Sequence, residues 1–373
     1  MALSEQLTQL FAQCEASQAS DIHLAVGELP RFRLQGQLTP HPAFARLSAE
    51  QVDALAMELG LETLPLGCSD GTERVRTTLL RDGAIDGAIT SPGGSRYRFN
   101  LYRDSGATAV ALRRLDNEFR SLDALGLPAQ LANFCSCTDG LVLVTGPTGS
   151  GKSTTLATLI DQINRTRQGH IITIEDPVEY RHASRRCLVN QRQIGRDARS
   201  FNGALVEALR QDPDVILVGE MRELETVRTA LAAAETGHLV FATLHAGDCA
   251  GAVERLVSVF PADEQEGVRR QFALVLRGIF AQHLVPSLKG GRVAVGELLV
   301  NTTAVANVIA TGRSAQLYSL LETGAAQGMV ALDQTLAELL AAGRIAESTA
   351  LALSRNPDAL RRRVRLGQGV AHG

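Results

Sequence analysis

The chain is poor in several residue types. It has no tryptophan, four tyrosines, four methionines and only two lysines in 373 residues. Aromatic side chains make up 4%, and the formal charge is 37 − 40 = −3. Single strands of nucleic acid are held by basic grooves and stacking rings, so both numbers argue against direct nucleic-acid binding and against a DNA-translocating ATPase. No run approaches the ~18 apolar residues that a membrane-spanning helix requires. The opening MALSEQLTQLFAQCEASQ has neither a basic nor an apolar signal region, so no secretory signal is expected. Six cysteines are scattered without CxxC spacing, which points to reduced thiols in a cytoplasmic protein. What is abundant is core material: 45% hydrophobic residues, enough for two or three domains at about 150 residues each.

Of 37 basic residues, 35 are arginine; the lysines are Lys152 and Lys289. Where so arginine-rich a chain uses lysine, a compact ammonium is indicated in place of a planar guanidinium. Lys152 lies in Gly146-Pro147-Thr148-Gly149-Ser150-Gly151-Lys152-Ser153-Thr154, whose first eight residues fit GxxxxGK[ST]. The apolar run LVLVT precedes it, and Leu156, Leu159, Ile160 and Ile163 follow at helical spacing. Strand, glycine-rich loop and helix cradle phosphate: backbone N–H groups turn inward and the helix N-terminus adds partial positive charge. Lys152 suits the β- and γ-phosphates of ATP and the Ser153 hydroxyl suits Mg²⁺. The bland alternative is a ligand-free strand–helix turn.

Three further apolar runs end on polar residues: HIITIE at Glu175, DVILVGE at Glu220 and HLVFATLH at His245. Helical patterns between them imply right-handed crossovers and a mostly parallel sheet. Ligands bind beyond the carboxyl ends of such strands, so the loop, Glu175, Glu220 and His245 are expected in one pocket. Its chemistry would be phosphoryl transfer to water, with one carboxylate handling the metal and one orienting the water. Glu220 suits the metal and Glu175 the water, though spacing leaves the roles exchangeable. His245 suits a γ-phosphate sensor. For His238, and for Asp176 and Glu179 in the EDPVEY turn, structural roles fit as well as functional ones.

Residues 1–115 read as a smaller α+β domain with an antiparallel sheet. It has a helix at SEQLTQLFAQCEAS, a Ser48…Gln51 capping box and strand patterns from TTLLRDGAIDGAIT to ATAVALRRL. In RYRFN, period 2 puts Arg96 and Arg98 on one face. With Arg103, Arg113 and Arg114 they form a guanidinium cluster that suggests arginine fingers acting across a boundary; a salt-bridged strand face is the alternative for any one of them. Residues 116–128 read as a linker, 129–285 as the ATPase core, 286–355 as mainly helical with a possible strand at RVAVGELLV, and 356–373 as a basic, Gly-rich tail. DEQEGVRRQFALVLRGIFAQHLV is read as helix.

Taken together these residues resemble the secretion and type IV pilus motor ATPases, and most closely the pilus retraction ATPases of the PilT family. The likeness spans about residues 18 to 345. It rests on SDIHLAVGELPRFRLQGQL, GLVLVTGPTGSGKSTTLA, ITIEDPVEY, CLVNQRQIG, ALRQDPDVILVGEMRELETVRTALAAAETGHLVFATLH and GMVALDQTLAELLAAGRI. The resemblance implies a PAS-like N-terminal domain, a RecA-like ATPase domain and a helical C-terminal region. It also implies a homohexamer on the cytoplasmic face of the inner membrane, docked on the pilus platform protein and membrane-associated only through it, with a paralogous pilus ATPase as a further partner. It assigns nucleotide binding to Gly149, Gly151, Lys152, Ser153 and Thr154, hydrolysis to Glu175 and Glu220, and the histidine-box role to His238 and His245. It singles out Arg98 and Arg113 as the best-matched arginines. The implied function is Mg-ATP-driven pilus retraction in twitching motility; a type II or type IV secretion motor, or an accessory PilU-like ATPase, is the alternative. The chain departs from the retraction pattern in two places. Ala304-Val305-Ala306-Asn307-Val308-Ile309-Ala310-Thr311 stands where those proteins have Ala-Ile-Arg-Asn-Leu-Ile-Arg-Glu. Gly106-Ala107 stands where they have Arg-Gly, leaving Arg103 as a substitute.

Overall fold

A computed structural model describes residues 3–64, 70–115 and 118–370; Cys68 and the linker residues Asp116 and Asn117 lie outside them. By packing, the chain divides into two units. The first holds Met1–Glu118 with Ile174–His182 and Gln191–Ser200, and the second holds the rest.

The first unit's elements are α1 (Glu5–Ala16), β1 (Asp21–Leu24), β2 (Arg31–Leu34), β3 (Gln37–Pro40), α2 (Ala49–Leu61), α3 (Gly71–Asp82), β4 (Ala84–Thr90), β5 (Arg96–Asp104) and β6 (Ala107–Leu115). The strands form one antiparallel sheet in the order β3-β2-β1-β6-β5-β4. Phe11, Phe32, Tyr97 and Phe99 are fully buried in its core. The capping box at α2 closes both ways: Ser48 Oγ accepts the Gln51 N–H at 3.3 Å, and Gln51 Oε1 accepts the Ser48 N–H at 2.9 Å. One expectation fails. Thr77–Asp82 is helix, not strand. Val75 and Leu79, four apart, are buried on one face, and Gly83 (φ +80°) ends the helix in the left-handed conformation. The Asp82-Gly83 pair is therefore a helix stop and not a hairpin turn.

The second unit's elements begin with β7 (Gly140–Thr145), α4 (Lys152–Thr166), β8 (Gly169–Glu175), β9 (Cys187–Gln193), α5 (Phe201–Ala208), β10 (Val215–Val218), α6 (Leu224–Glu235) and β11 (Leu239–Leu244). They continue with α7 (Cys249–Ser258), α8 (Gln265–Val275), β12 (Leu276–Pro286), β13 (Arg292–Val300) and the helices α9 (Thr303–Ala310), α10 (Leu317–Thr323), α11 (Leu332–Ala341), α12 (Glu347–Leu353) and α13 (Pro357–Val370). β8 and β9 run on into stretches that pack with the first unit. The seven strands are ordered β13-β12-β7-β11-β10-β8-β9. β7 pairs in parallel with β11 on one side and β12 on the other, and β10 is parallel to β11. This is the mostly parallel sheet that alternating strands and helices imply. All of β7 is buried, as both-sided coverage demands.

Two features of this unit differ from expectation. The helical reading of residues 263–285 is right only as far as Val275; Leu276–Pro286 is a strand. A strand paired on both sides is apolar almost continuously, and such a run does not distinguish strand from buried helix by period. Gly278 shows what the site requires: a Cβ there would fall 2.2 Å from the ring of Phe134. Because β12 pairs antiparallel with β13, the sheet runs to Val300, past the expected boundary at 285. The linker also contributes to packing: Leu122 and Leu127 join the second unit's core. Among the described residues no helix is long and apolar enough to cross a membrane.

Candidate nucleotide site

The phosphate loop leaves the middle of the sheet. β7 ends at Thr145, and Gly146 turns the chain with φ +146°. A Cβ on Gly146 would lie 2.2 Å from the Gln282 carbonyl oxygen and 2.6 Å from Ser150 Oγ. Gly151 (φ +91°) begins α4, and a Cβ there would lie 2.8 Å from Gln282 Nε2. No side chain caps α4, a loss of about 1 kcal/mol. Burial of Leu156, Leu159, Ile160 and Ile163, each 0–2% exposed, outweighs that at about 1.5–3 kcal/mol apiece. Packing thus holds a helix whose first-turn donors suit an anion.

Lys152 is only 9% exposed. Its Nζ donates to the Gly146 and Pro147 carbonyls at 2.9 and 3.0 Å, which fixes the ammonium across the loop. Ser150 is 2% exposed, and its Oγ makes no hydrogen bond within the chain. An orphaned buried hydroxyl costs about 1–3 kcal/mol; a phosphate oxygen would supply the missing partner. Ser153, by contrast, is exposed at the helix start. A buried ammonium, an orphaned hydroxyl and a glycine-lined turn together fit a polyphosphate.

Glu220 follows β10 and His245 follows β11, and the structure brings them together: His245 Nε2 lies 2.9 Å from Glu220 Oε1. Backbone and side-chain bonds fix both strand ends. Thr243 Oγ1 donates to the Gly219 carbonyl at 2.5 Å, and the Met221 N–H donates to the Thr243 carbonyl at 3.1 Å. Thr145 Oγ1 donates to the Ala246 carbonyl and accepts the Ala246 N–H, both at 2.9 Å, tying the phosphate strand to the turn after His245. Burial, and then the positive charge of Lys152, hold the His245 pKa below its ordinary value of 6.5, against the pull of Glu220. The imidazole is therefore neutral at pH 7 and donates to the Glu220 carboxylate. By NMR, His245 should titrate below 6.5, and Lys152→Ala should move that midpoint upward by removing a neighbouring cation. An unmoved midpoint would separate the loop from the strand ends.

Glu175 is the last residue of β8; Gln191 Nε2 donates to its Oε1 at 3.3 Å and to the Tyr180 carbonyl at 2.7 Å. The segment it opens packs in the first unit, where Arg96 meets it. Contrary to expectation, Arg96 is not on an open guanidinium face. It is 3% exposed, donating Nε and Nη2 to the Val178 carbonyl at 3.3 and 3.1 Å and Nη1 to Thr90 Oγ1 at 3.1 Å. Burial, then the charge of Arg181, pulls its pKa down to about 10, so it remains a cation at neutral pH. The reason is position: at the start of β5 its face is covered by the 175–180 turn.

Arg98 and Arg113 sit directly opposite each other on β5 and β6. Like charges so placed repel, and each has its own acids. Arg98 lies 3.7 Å from Asp86 and 3.9 Å from Glu179, and Arg113 Nε is 2.8 Å from Asp21. Burial pushes the Asp21 pKa up, but hydrogen bonds from Ser20 and Arg113 and the charges of Arg113 and Arg33 outweigh it and hold the carboxyl below its usual value. Arg103 is used within its own hairpin, donating to the Gly106 carbonyl and Thr108 Oγ1. His238 does not join His245. It precedes β11, its Nδ1 3.0 Å from the Ala233 carbonyl at the end of α6. β11 lies between the two histidines, and seven steps at ~3.3 Å per residue put them roughly 23 Å apart.

Sequence reasoning missed Arg222, whose Nε donates to Glu220 Oε1. The run Glu220-Met221-Arg222 carries that signal, since a short turn after a strand brings alternate residues together. It also missed Thr145 and Gln282, which act from strands.

A family profile described as type II/IV secretion system protein matches residues 82–343. The type IV pilus retraction ATPase PilT of Pseudomonas aeruginosa is 40% identical over 94% of this chain and 99% of its own. The type IV pilus ATPase PilU of the same organism is 39% identical over 93% of this chain and 88% of its own. A crystal structure of the pilus retraction motor PilT with bound ADP superposes with a TM-score of 0.85 at 42% identity, over 97% of this chain and 100% of that one.

Proposed function

Because the chain belongs to the type II/IV secretion system protein family, we propose that it is a homohexameric motor ATPase coupling Mg-ATP hydrolysis to type IV pilus retraction. The observation that carries this reading is similarity along nearly the whole length to a retraction ATPase. The loop from Gly146 to Thr154 binds the phosphates, with Lys152 countering their charge. Ser153 and Glu220 would hold Mg²⁺, which supplies charge neutralisation to the triphosphate. Glu175 orients the attacking water; His245, neutral and hydrogen-bonded to Glu220, senses the γ-phosphate side of the pocket. Arg98 and Arg113 act across a subunit boundary. The protein works at the cytoplasmic face of the inner membrane, docked on the pilus platform protein.

One observation favours a second reading. Half-buried Ala306 and Ala310 of α9, and the exposed Thr311 that caps it, carry no charge where retraction ATPases have two arginines and an acid. That neutral face suits an accessory motor working with a paralogous retraction ATPase. Complementation separates the two. Restored twitching in a strain lacking its retraction ATPase supports the first reading. Rescue only in a strain lacking the accessory ATPase supports the second, and rescue in neither rejects both.

A further inference from the structure

The phosphate loop and the helix behind it meet a strand far along the chain: Thr155 and Gln282 are 127 residues apart. β12 pairs with β7 only as far as Ala281 opposite Thr145, the last residue of β7. It then continues beyond the loop's departure point, paired with β13 alone from Gln282 to Pro286. This extension forms a wall beside the loop. Gln282 is its first residue, 3% exposed. Its Oε1 accepts Thr155 Oγ1 at 2.6 Å on the first turn of α4. Its Nε2 lies where a side chain on Gly151 would stand, and its carbonyl oxygen where one on Gly146 would stand. Both ends of the loop and the helix behind it thus meet one residue. The next residue, His283, places Nε2 2.9 Å from the Gly247 carbonyl, in the turn after His245.

We propose that Gln282 is a positioning residue for nucleotide binding: it fixes the separation between Gly146 and the start of α4, and so the curvature of the backbone that meets the phosphates. The inference rests on the ATPase reading above. A glutamine fits because its two ends differ. The oxygen takes the Thr155 hydroxyl proton, and the neutral amide adds no negative charge beside bound phosphates, as a glutamate would.

The test is a double-mutant cycle on the full-length protein, reading Mg-ADP affinity with a fluorescent ADP. Gln282→Leu and Thr155→Val each remove one partner of the same bond; Thr155→Val is nearly isosteric and covers the case in which Gln282→Leu does not fold. Each should raise the Mg-ADP dissociation constant about tenfold, the equivalent of ~1.4 kcal/mol, the size of one buried hydrogen bond. The loss should fall on KM for ATP more than on kcat, and the double variant should be no weaker than either single one. A merely structural role predicts lowered melting temperature with unchanged affinity; that result, or fully additive losses, overturns the proposal. If the wild-type protein itself fails to bind Mg-ADP, the ATPase reading falls instead.

Discussion

Lys152→Ala should reduce ATP hydrolysis by about 10²–10³-fold, the scale of losing one preorganised electrostatic group in a water-poor site. The ammonium is nearly buried and held by two loop carbonyls, so it is in place before phosphate arrives and costs no reorganisation during reaction. Lys152→Arg should not rescue, because a planar guanidinium spreads its charge and cannot reproduce the compact ammonium's contacts with the Gly146 and Pro147 carbonyls. Phosphate release under saturating Mg-ATP measures this. Wild-type turnover in Lys152→Ala would remove the loop from the chemistry.

The second large effect is expected at Glu220. Glu220→Gln keeps the shape but removes the charge that His245 and Arg222 both approach. Turnover should fall by a comparable ~10²-fold or more, while ATP still binds; bound nucleotide released by denaturation should then be ATP and not ADP. The substitution has a spectroscopic companion. The charge of Glu220 raises the His245 pKa, so its neutralisation should lower the His245 midpoint further. The opposite shift follows from Lys152→Ala, and the two variants together test whether three strand ends share one electrostatic field.

The phosphate loop was legible because its signal is contiguous: glycines, lysine and serine in eight positions, with apolar periodicity changing from strand to helix across them. Glu220 and His245 were legible because each closes a buried apolar run, and parallel strands must end on one side. Arg96 was not. Alternation correctly grouped it with Arg98, but only tertiary packing decides that a segment 80 residues later covers one arginine and leaves the other exposed. The two histidines of the histidine box lie at opposite ends of β11, a separation that strand length alone makes legible. β12 was misread because the apolar residues Phe272 to Leu276 carry straight from α8 into the strand, with no glycine or proline at the junction to mark the change. That misreading concealed Gln282, whose meaning depends on being in a strand.

The placement of β7 has a consequence for how the protein comes apart. Its amides are bonded on both flanks, whereas β9 and β13 stand at the two ends of the strand order. Fraying from those borders exposes backbone there to deuterium exchange while Leu141–Thr145 stays protected, because reaching it requires the whole sheet to open. The anion cradle is thus anchored in the slowest-exchanging part of its unit, and warming should erode the periphery well before it erases the capacity to hold nucleotide.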